Sequence, residues 1–532
     1  MSDGQDCDVI VVGAGFAGLY MLYRLRRAGF RTRVFEAGSG VGGTWYWNRY
    51  PGARCDVESM EYSYSFSDEL QQDWEWTERY AGQPEILRYA NHVADRFGLR
   101  PDITFDTRVT QAVFDEEGRR WRVTTDTGET VLASFVVMAT GCLSSTNLPE
   151  FEGRDSFLGE TYHTGRWPHG GADFAGRRVG IVGTGSSAIQ AIPIIAEEAA
   201  HLTVFQRTPN YSIPARNAPI DPAYVREIKA EYREFRARNL RMHAGFGSKV
   251  HHNDAPALSD DPAAREANYD ARWHHGGFAF LGAYNDLLRS REANETAAEF
   301  VRERIRDVVD DPEVAERLCP DNVIGCKRPC LDTGYFETYN RPNVELVDAG
   351  ERPIERITPQ GIVAGGREFD LDCIVFATGF DAMTGAVLGI DIRGRGGKTL
   401  KQMWDAGPRT YLGLCTVGFP NLFLITGPGS PSVLTNMIVS IEQHVDWITA
   451  CLDDLRRTGR ATIEATRQAQ DDWVDHVNAV AGVTLYPTCN SWYLGKNIPG
   501  KPQVFMPLIG FPPYAQKCAE VAADGYQGFD LD

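Results

Sequence analysis

An α/β chain built on two Rossmann-like, dinucleotide-binding units with a helical insertion is what this sequence predicts, and three stretches predict it. Val9-Ile10-Val11-Val12 runs into Gly13-Ala14-Gly15-Phe16-Ala17-Gly18, and Val179-Gly180-Ile181-Val182 into Gly183-Thr184-Gly185-Ser186-Ser187-Ala188. Each is an apolar strand that meets a glycine turn and opens a helix, the arrangement that cradles a pyrophosphate. From about 214 to 322 the pattern turns charged and helical, with segments at 223–242 and 299–318, which reads as an insertion covering the substrate side.

In the first unit a helix over 17–28 and a strand over Thr32–Phe35 complete a βαβ unit of about thirty residues. Gly13 allows the tight turn, Gly15 lets backbone approach a pyrophosphate, and Gly18 permits close helix packing. Glu36 falls where a carboxylate accepts hydrogen bonds from an adenosine ribose. The second unit has Ala188 in place of the third glycine, and its second strand ends in Gln206-Arg207-Thr208. An acid there would repel a 2′-phosphate and an arginine can bind it, so the first unit reads as FAD-binding and the second as NADPH-binding. Arg207 as an ordinary solvated arginine is the bland alternative.

Residues 42–56, Gly-Gly-Thr-Trp-Tyr-Trp-Asn-Arg-Tyr-Pro-Gly-Ala-Arg-Cys-Asp, fit neither an amphipathic helix nor a strand. They are a packed surface loop or, given their place after the first unit, a flavin-contacting one. Segments 121–125 and 130–132 flank Asp126-Thr127-Gly128 as a hairpin, and a buried strand at 135–138 ends in Ala139-Thr140-Gly141. Ala377-Thr378-Gly379 ends a second such strand, 373–376. Further strands are expected at 344–347 and 421–426, and a packed amphipathic helix at 437–452. The aromatic stretch 492–501 reads as a loop near a pocket.

With 532 residues the chain exceeds the ~250 to 300 at which single cores stop growing. The expected segments are 1–145 and 381–532 for the first nucleotide domain, the latter with a C-terminal active-site loop. Residues 146–213 and 326–380 form the second, and 214–325 the insertion. A net charge of −18 argues against nucleic acid. No apolar run reaches the ~18 to 20 residues that span a bilayer, and Met1-Ser2-Asp3-Gly4-Gln5 lacks the basic start of a signal peptide, so the cytoplasm is the expected location. Eleven irregularly spaced cysteines predict buried thiols and no disulfide framework. No group has zinc spacing; His251-His252 and His274-His275 are isolated pairs, and no metal is expected.

Between the two units, 157–168 fits F-x-G-x-x-x-H-x-x-x-W-P at Phe157, Gly159, His163, Trp167 and Pro168. That pattern resembles the fingerprint of the Baeyer–Villiger monooxygenases, flavoenzymes that insert an oxygen atom beside a ketone carbonyl. The resemblance extends to 42–56, to Lys327-Arg328 and to the Trp492 loop. Paired Ala-Thr-Gly segments are also familiar at crossings between FAD and NADPH domains.

The resemblance implies NADPH reduction of FAD, oxygen addition at the flavin C4a, and attack of the deprotonated peroxide on a ketone to give an ester or lactone. Arg328 matches the catalytic arginine and Asp56 the carboxylate that orients it; arginine suits the task because it keeps its proton. FAD contacts are implied for Phe16, Ala17, Thr44, Trp45, Arg54, Cys55, Asp56, Tyr62, Val109 and Met437. NADP contacts are implied for Gln190 and Trp492, with Lys327, Arg207 and Thr208 as a 2′-phosphate clamp. Cys142, Ser432, Val433, Leu434 and Trp492 are implied pocket residues, and 429–434 resembles the aryl- and steroid-ketone members. His163 reads as a hinge in preference to a proton donor.

The partners implied are a small ketone and O2, with no nucleic acid, membrane or protein partner. An N- or S-oxygenating flavin monooxygenase usually ends its fingerprint in an aromatic residue and lysine, where this chain has Trp167-Pro168. A disulfide reductase needs a C-x-x-C, which is absent. A redox sensor without oxygenase chemistry is the third alternative.

Overall fold

The computed structural model describes residues 6–250, 252–496, 498–500 and 509–532. Two parallel-strand systems dominate it. The first sheet runs in the order Asp391–Arg393, Val109–Asp115, Arg120–Thr125, Thr130–Met138, Cys7–Val12, Thr32–Phe35, Ile103–Thr104, and Leu422–Leu424 pairs with Thr130–Met138. The second runs Val344–Asp348, His201–Gln206, Arg178–Val182, Cys373–Phe376, Glu160–His163, with every pair parallel. Strands buried on both faces read as continuous apolar runs, which is why Val9 to Val12 and Cys373 to Phe376 show no alternation.

The two glycine turns are built alike. Gly13 has φ +106° and Gly183 φ +110°; a Cβ on the first would lie 2.6 Å from the Ala139 carbonyl oxygen, and one on the second 2.7 Å from that of Ala377. Thr130–Met138 lies beside Cys7–Val12 and Cys373–Phe376 beside Arg178–Val182, so each Ala-Thr-Gly leaves its strand against the neighbouring glycine turn. The repeated motif is thus the other wall of each turn. Helices Phe16–Arg27 and Ser186–Glu198 follow, with glycine N-caps, no side-chain cap and no acid in the first turn. Their first amides are left for an anion.

Several elements differ from expectation. The hairpin strand at 130–132 and the buried strand at 135–138 are one strand, Thr130–Met138, antiparallel to Arg120–Thr125 at its start and parallel to Cys7–Val12 from Ala133 onward. Asn421 and Thr426 take left-handed φ (+61° and +55°), which trims the strand there to Leu422–Leu424. The helical segment 299–318 is two helices: Arg291–Val308, and Pro312–Leu318 capped by Asp311. Segment 223–242 divides into Pro222–Ala230 and Tyr232–Asn239, the second tied down by Arg236, which donates to Glu61 O, Ser63 Oγ and Gln71 Oε1. The helix expected at 437–452 continues as Met437–Thr458 to a left-handed Gly459, and packs beside Phe16–Arg27. Among the described residues no helix is long and apolar enough to cross a membrane.

Candidate active site

The segment 157–168 is the crossing between the sheets. Glu160–His163 forms the edge of the second sheet, with His163 beside Phe376. Gly159 is there because a Cβ would sit 2.4 Å from the Asp372 carbonyl oxygen. The two connecting chains run side by side: Asn147 N donates to Gly379 O at 2.9 Å and Thr378 Oγ1 to Asn147 O at 2.5 Å. The His163 Nε2 lies 3.3 Å from both Asn147 O and Thr378 Oγ1, while its Nδ1 accepts from Gly165 N at 3.0 Å. An accepting Nδ1 puts the proton on Nε2, and burial holds the imidazole pKa below its ordinary value. Trp167 is buried against Tyr162 and Phe174, its amide reaching Trp47 O, and Phe157 packs on the core beside Phe376; Pro168 follows.

Loop 42–56 lies across the first glycine turn, Gly43 Cα being 3.3 Å from a Cβ placed on Gly15. It opens with the short helix Thr44–Trp47; Trp45 Nε1 donates to Tyr62 OH, and both rings pack in the core cluster with Phe16 and Ala17. Gln190, on the second dinucleotide helix, accepts at Oε1 from Tyr50 OH (2.9 Å) and Arg54 N (3.3 Å), and its Nε2 donates to Arg54 O. Gln190 therefore stitches the loop to the second unit. Arg54 continues the seam through Glu78 Oε2 and Tyr80 O, both 2.7 Å away. Burial pushes the neighbouring Cys55 thiol well above its usual range. Val109 is a buried strand residue.

At the end of that loop, Asp56 meets Arg328. The guanidinium donates through Nε to Oδ2 (2.5 Å) and Nη2 to Oδ1 (2.9 Å), and through Nη1 to Val433 O (2.7 Å). Its Cζ stands 4.6 Å from the centre of the Phe278 ring. Burial opposes the charge, but Asp56 and the hydrogen-bonded Tyr493 hydroxyl outweigh it and raise the pKa, so the cation is permanent. Burial pushes Tyr493 itself up to about 12. The Tyr493 and Trp492 rings are 4.4 Å apart.

Next to Arg328, Lys327 faces Arg207. Burial first, and repulsion from Arg207 second, lower the lysine pKa. Neither cation has an ion pair among the described residues, and Thr184 Oγ1 donates to the Thr208 carbonyl beside them at 2.9 Å. Two cations without an ion-pair partner at the end of a dinucleotide unit fit a phosphate. A Cβ on Gly185 would meet nothing within 4 Å, so that turn is open to a ligand, with Ser186 and Ser187 at the helix start and Ala188 buried behind. In the first unit Glu36 accepts from Ala14 N (2.7 Å) and Gly38 N (2.8 Å), which aims its carboxylate across the turn.

A cavity of about 910 Å³ opens beside Asp56 and Arg328 and is walled by Phe246, Phe278, Leu281, Leu288 and Tyr493. Of the expected pocket residues only Leu434 lines it. Cys142, Val433, Leu434, Trp492 and the cofactor candidate Met437 form an apolar cluster around Tyr493, and Ser432 Oγ turns toward Thr426 O. The sequence reading missed Phe246, in the glycine-flanked loop after Tyr232–Asn239, and Phe278, in the short turn Gly277–Ala283, neither of which has a motif around it. It also missed the one disulfide: Cys326, next to Lys327, is bonded to Cys489, with 6.0 Å between Cα atoms and 163 positions between them. The remaining cysteines are free thiols, and among the described residues no cluster could hold a metal. His251, Asn497 and Lys501, and the start 1–5, lie outside the described residues.

Comparison with known proteins places this geometry. Residues 10–257 match the family model for pyridine nucleotide-disulphide oxidoreductases. A Baeyer–Villiger monooxygenase of Pseudooceanicola batsensis is 44% identical over 99% of this chain and 97% of its own. The chain belongs to the Baeyer–Villiger monooxygenase family. A solved structure of an oxidized steroid monooxygenase bound to NADP aligns with this monooxygenase at TM-score 0.94 and 55% identity, covering 99% of both chains. The phenazine N-monooxygenase PhzNO1 of Lysobacter antibioticus is 42% identical over 100% of this chain and 98% of its own. The 42% shared with the phenazine N-monooxygenase lies just below the 44% shared with the Baeyer–Villiger monooxygenase of Pseudooceanicola batsensis.

Proposed function

We propose that the protein catalyses Baeyer–Villiger oxidation with FAD, NADPH and O2: ketone, O2, NADPH and a proton give ester or lactone, NADP⁺ and water. The observation that carries this is the permanent Arg328 cation, fixed bidentately by Asp56 at the edge of the cavity. FAD, when bound, supplies the reduction of oxygen and its transfer. The rest falls to the protein.

The uncapped amides that open helices Phe16–Arg27 and Ser186–Glu198 bind the two pyrophosphates, and Lys327 and Arg207 hold the 2′-phosphate that marks NADPH. Arg328 stabilises negative charge developing near the ketone, and Asp56 keeps its planar head in one orientation. The apolar walls exclude water and take an aryl, cyclic or otherwise bulky ketone; a cavity of about 910 Å³ accommodates more than a small one. We place the protein in the cytoplasm, acting without a protein partner.

Purified holoenzyme given NADPH, air and phenylacetone tests the reading. Ester formation stoichiometric with NADPH supports it. NADPH consumption that yields only hydrogen peroxide with every ketone tried would sink it, and N-oxide formation from an aromatic N-heterocycle without ketone turnover would favour the activity of the phenazine relative.

A further inference from the structure

Glu61 is a buried carboxyl on the wall of the cavity, five residues beyond Asp56. Its Oε1 accepts from Gly247 N at 2.8 Å, and the next amide, Ser248 N, donates to Asn239 Oδ1 at 3.0 Å. The backbone is held too: Glu61 O accepts from Arg236 Nη1 (2.8 Å) and from Asn436 Nδ2 (2.9 Å), while Asn436 N donates to Ala244 O (2.8 Å). Three segments distant in sequence, 56–62, 243–248 and 432–436, thereby meet at one residue, the carboxyl holding 243–248 and the backbone carbonyl holding 432–436. The residue placed by this knot is Phe246, whose ring meets Phe278 edge-on at 6.0 Å, and Phe278 is the ring beneath Arg328.

We infer that Glu61 is a positioning residue for substrate size: through Gly247 it sets Phe246, and so the distance between the aromatic wall and Arg328. This rests on the proposed ketone oxidation. Gly245 and Gly247 flank Phe246 with left-handed φ of +72° and +85°, a backbone that glycine adopts without strain and that leaves the loop dependent on outside anchors. A charged acceptor binds an amide more strongly than a neutral one. Burial, with Glu58 adding to it, pushes the Glu61 carboxyl up to about 7. Arg236 pulls it down, and the Tyr80 and Tyr224 hydroxyls are near enough to sense its charge. The clasp is therefore strongest above neutral pH and weakens below it.

Steady-state kinetics of wild type, Glu61→Ala and Glu61→Gln holoenzyme with cyclohexanone and with a bulky aryl ketone, from pH 6 to 8.5, test this. Glu61→Ala is expected to raise KM for the bulky ketone about tenfold, with kcat and the cyclohexanone KM within about twofold. Glu61→Gln keeps only a neutral acceptor for Gly247 N, so its bulky-ketone KM should lie below that of Glu61→Ala, match the raised value of wild type at pH 6, and stay flat from pH 6 to 8.5. Equal KM changes for both ketones, or a Glu61→Gln profile that keeps the wild-type pH dependence, would overturn it. Absence of ketone turnover by wild type would instead overturn the reaction assignment.

Discussion

Arg328 and Asp56, 272 positions apart, face each other with two parallel N–H···O bonds of 2.5 and 2.9 Å. A fork matched to a carboxylate fixes direction as well as charge, which a lysine ammonium cannot do. Arg328→Ala is expected to leave NADPH reduction of the flavin measurable and to lower ester formation by at least about a hundredfold. Arg328→Lys should recover little of it. Stopped-flow reduction alongside product analysis checks both; ester formation retained in Arg328→Ala would remove the assigned role.

Lys327 and Arg207 repel each other, and among the described residues neither has an ion-pair partner, although Asp321 offsets part of the repulsion on the lysine. A 2′-phosphate would supply the missing charge. Arg207→Ala and Lys327→Ala should each raise KM for NADPH about tenfold and leave KM for NADH nearly unchanged, since a lost charge-assisted bond is worth about 1.5 to 3 kcal/mol. Initial rates with the two coenzymes decide it, and a parallel loss with NADH would point to damage of the turn as a whole.

Both glycine turns were legible because their chemistry is local: a strand, a turn and a helix N-terminus occupy consecutive residues. Arg328 and Asp56 were legible only through the family resemblance, since 272 positions separate them. The Ala-Thr-Gly pair was legible as a repeat, but not as the wall that forbids a Cβ at Gly13 and Gly183, because that contact joins different strands. Gln190 is a cofactor residue by resemblance, and its bonds to Tyr50 and Arg54 across the seam are a contact no spacing encodes. The cavity was the least legible part. Phe246 and Phe278 acquire meaning only when the insertion folds back on Arg328, and no spacing along the chain encodes that return.

The His163 Nδ1 is occupied by the Gly165 amide and its Nε2 faces Asn147 O and Thr378 Oγ1. Burial disfavours the imidazolium as well. A residue so engaged holds the crossing together and has no spare proton. His163→Gln, which can still accept from one amide, should retain most activity, and His163→Ala should lose about tenfold as the crossing loosens. In neither should the kcat profile between pH 6 and 8 change shape. A limb that disappears in His163→Gln would instead assign it proton transfer.

Two buried groups give stability opposing pH dependences. His444 accepts from Thr426 N at Nδ1 and lies 2.8 Å from Tyr514 OH at Nε2, and burial lowers its pKa from 6.5 to about 3. Below pH 6.5 the unfolded chain binds a proton that the folded one refuses, so stability falls by about 1.4 kcal/mol per pH unit of acidification. Glu61, raised from 4.5 to about 7, acts in the other sense: the folded state holds the extra proton, so its contribution is present below pH 4.5 and lost as pH rises to 7. The two slopes nearly cancel in wild type between pH 4.5 and 6.5. Glu61→Gln removes one of them, and its stability relative to wild type should climb by about 1.4 kcal/mol per pH unit from 4.5 to 7. Urea unfolding of both proteins across that window measures the difference directly, and a flat difference would mean that Glu61 titrates alike in the folded and unfolded chains.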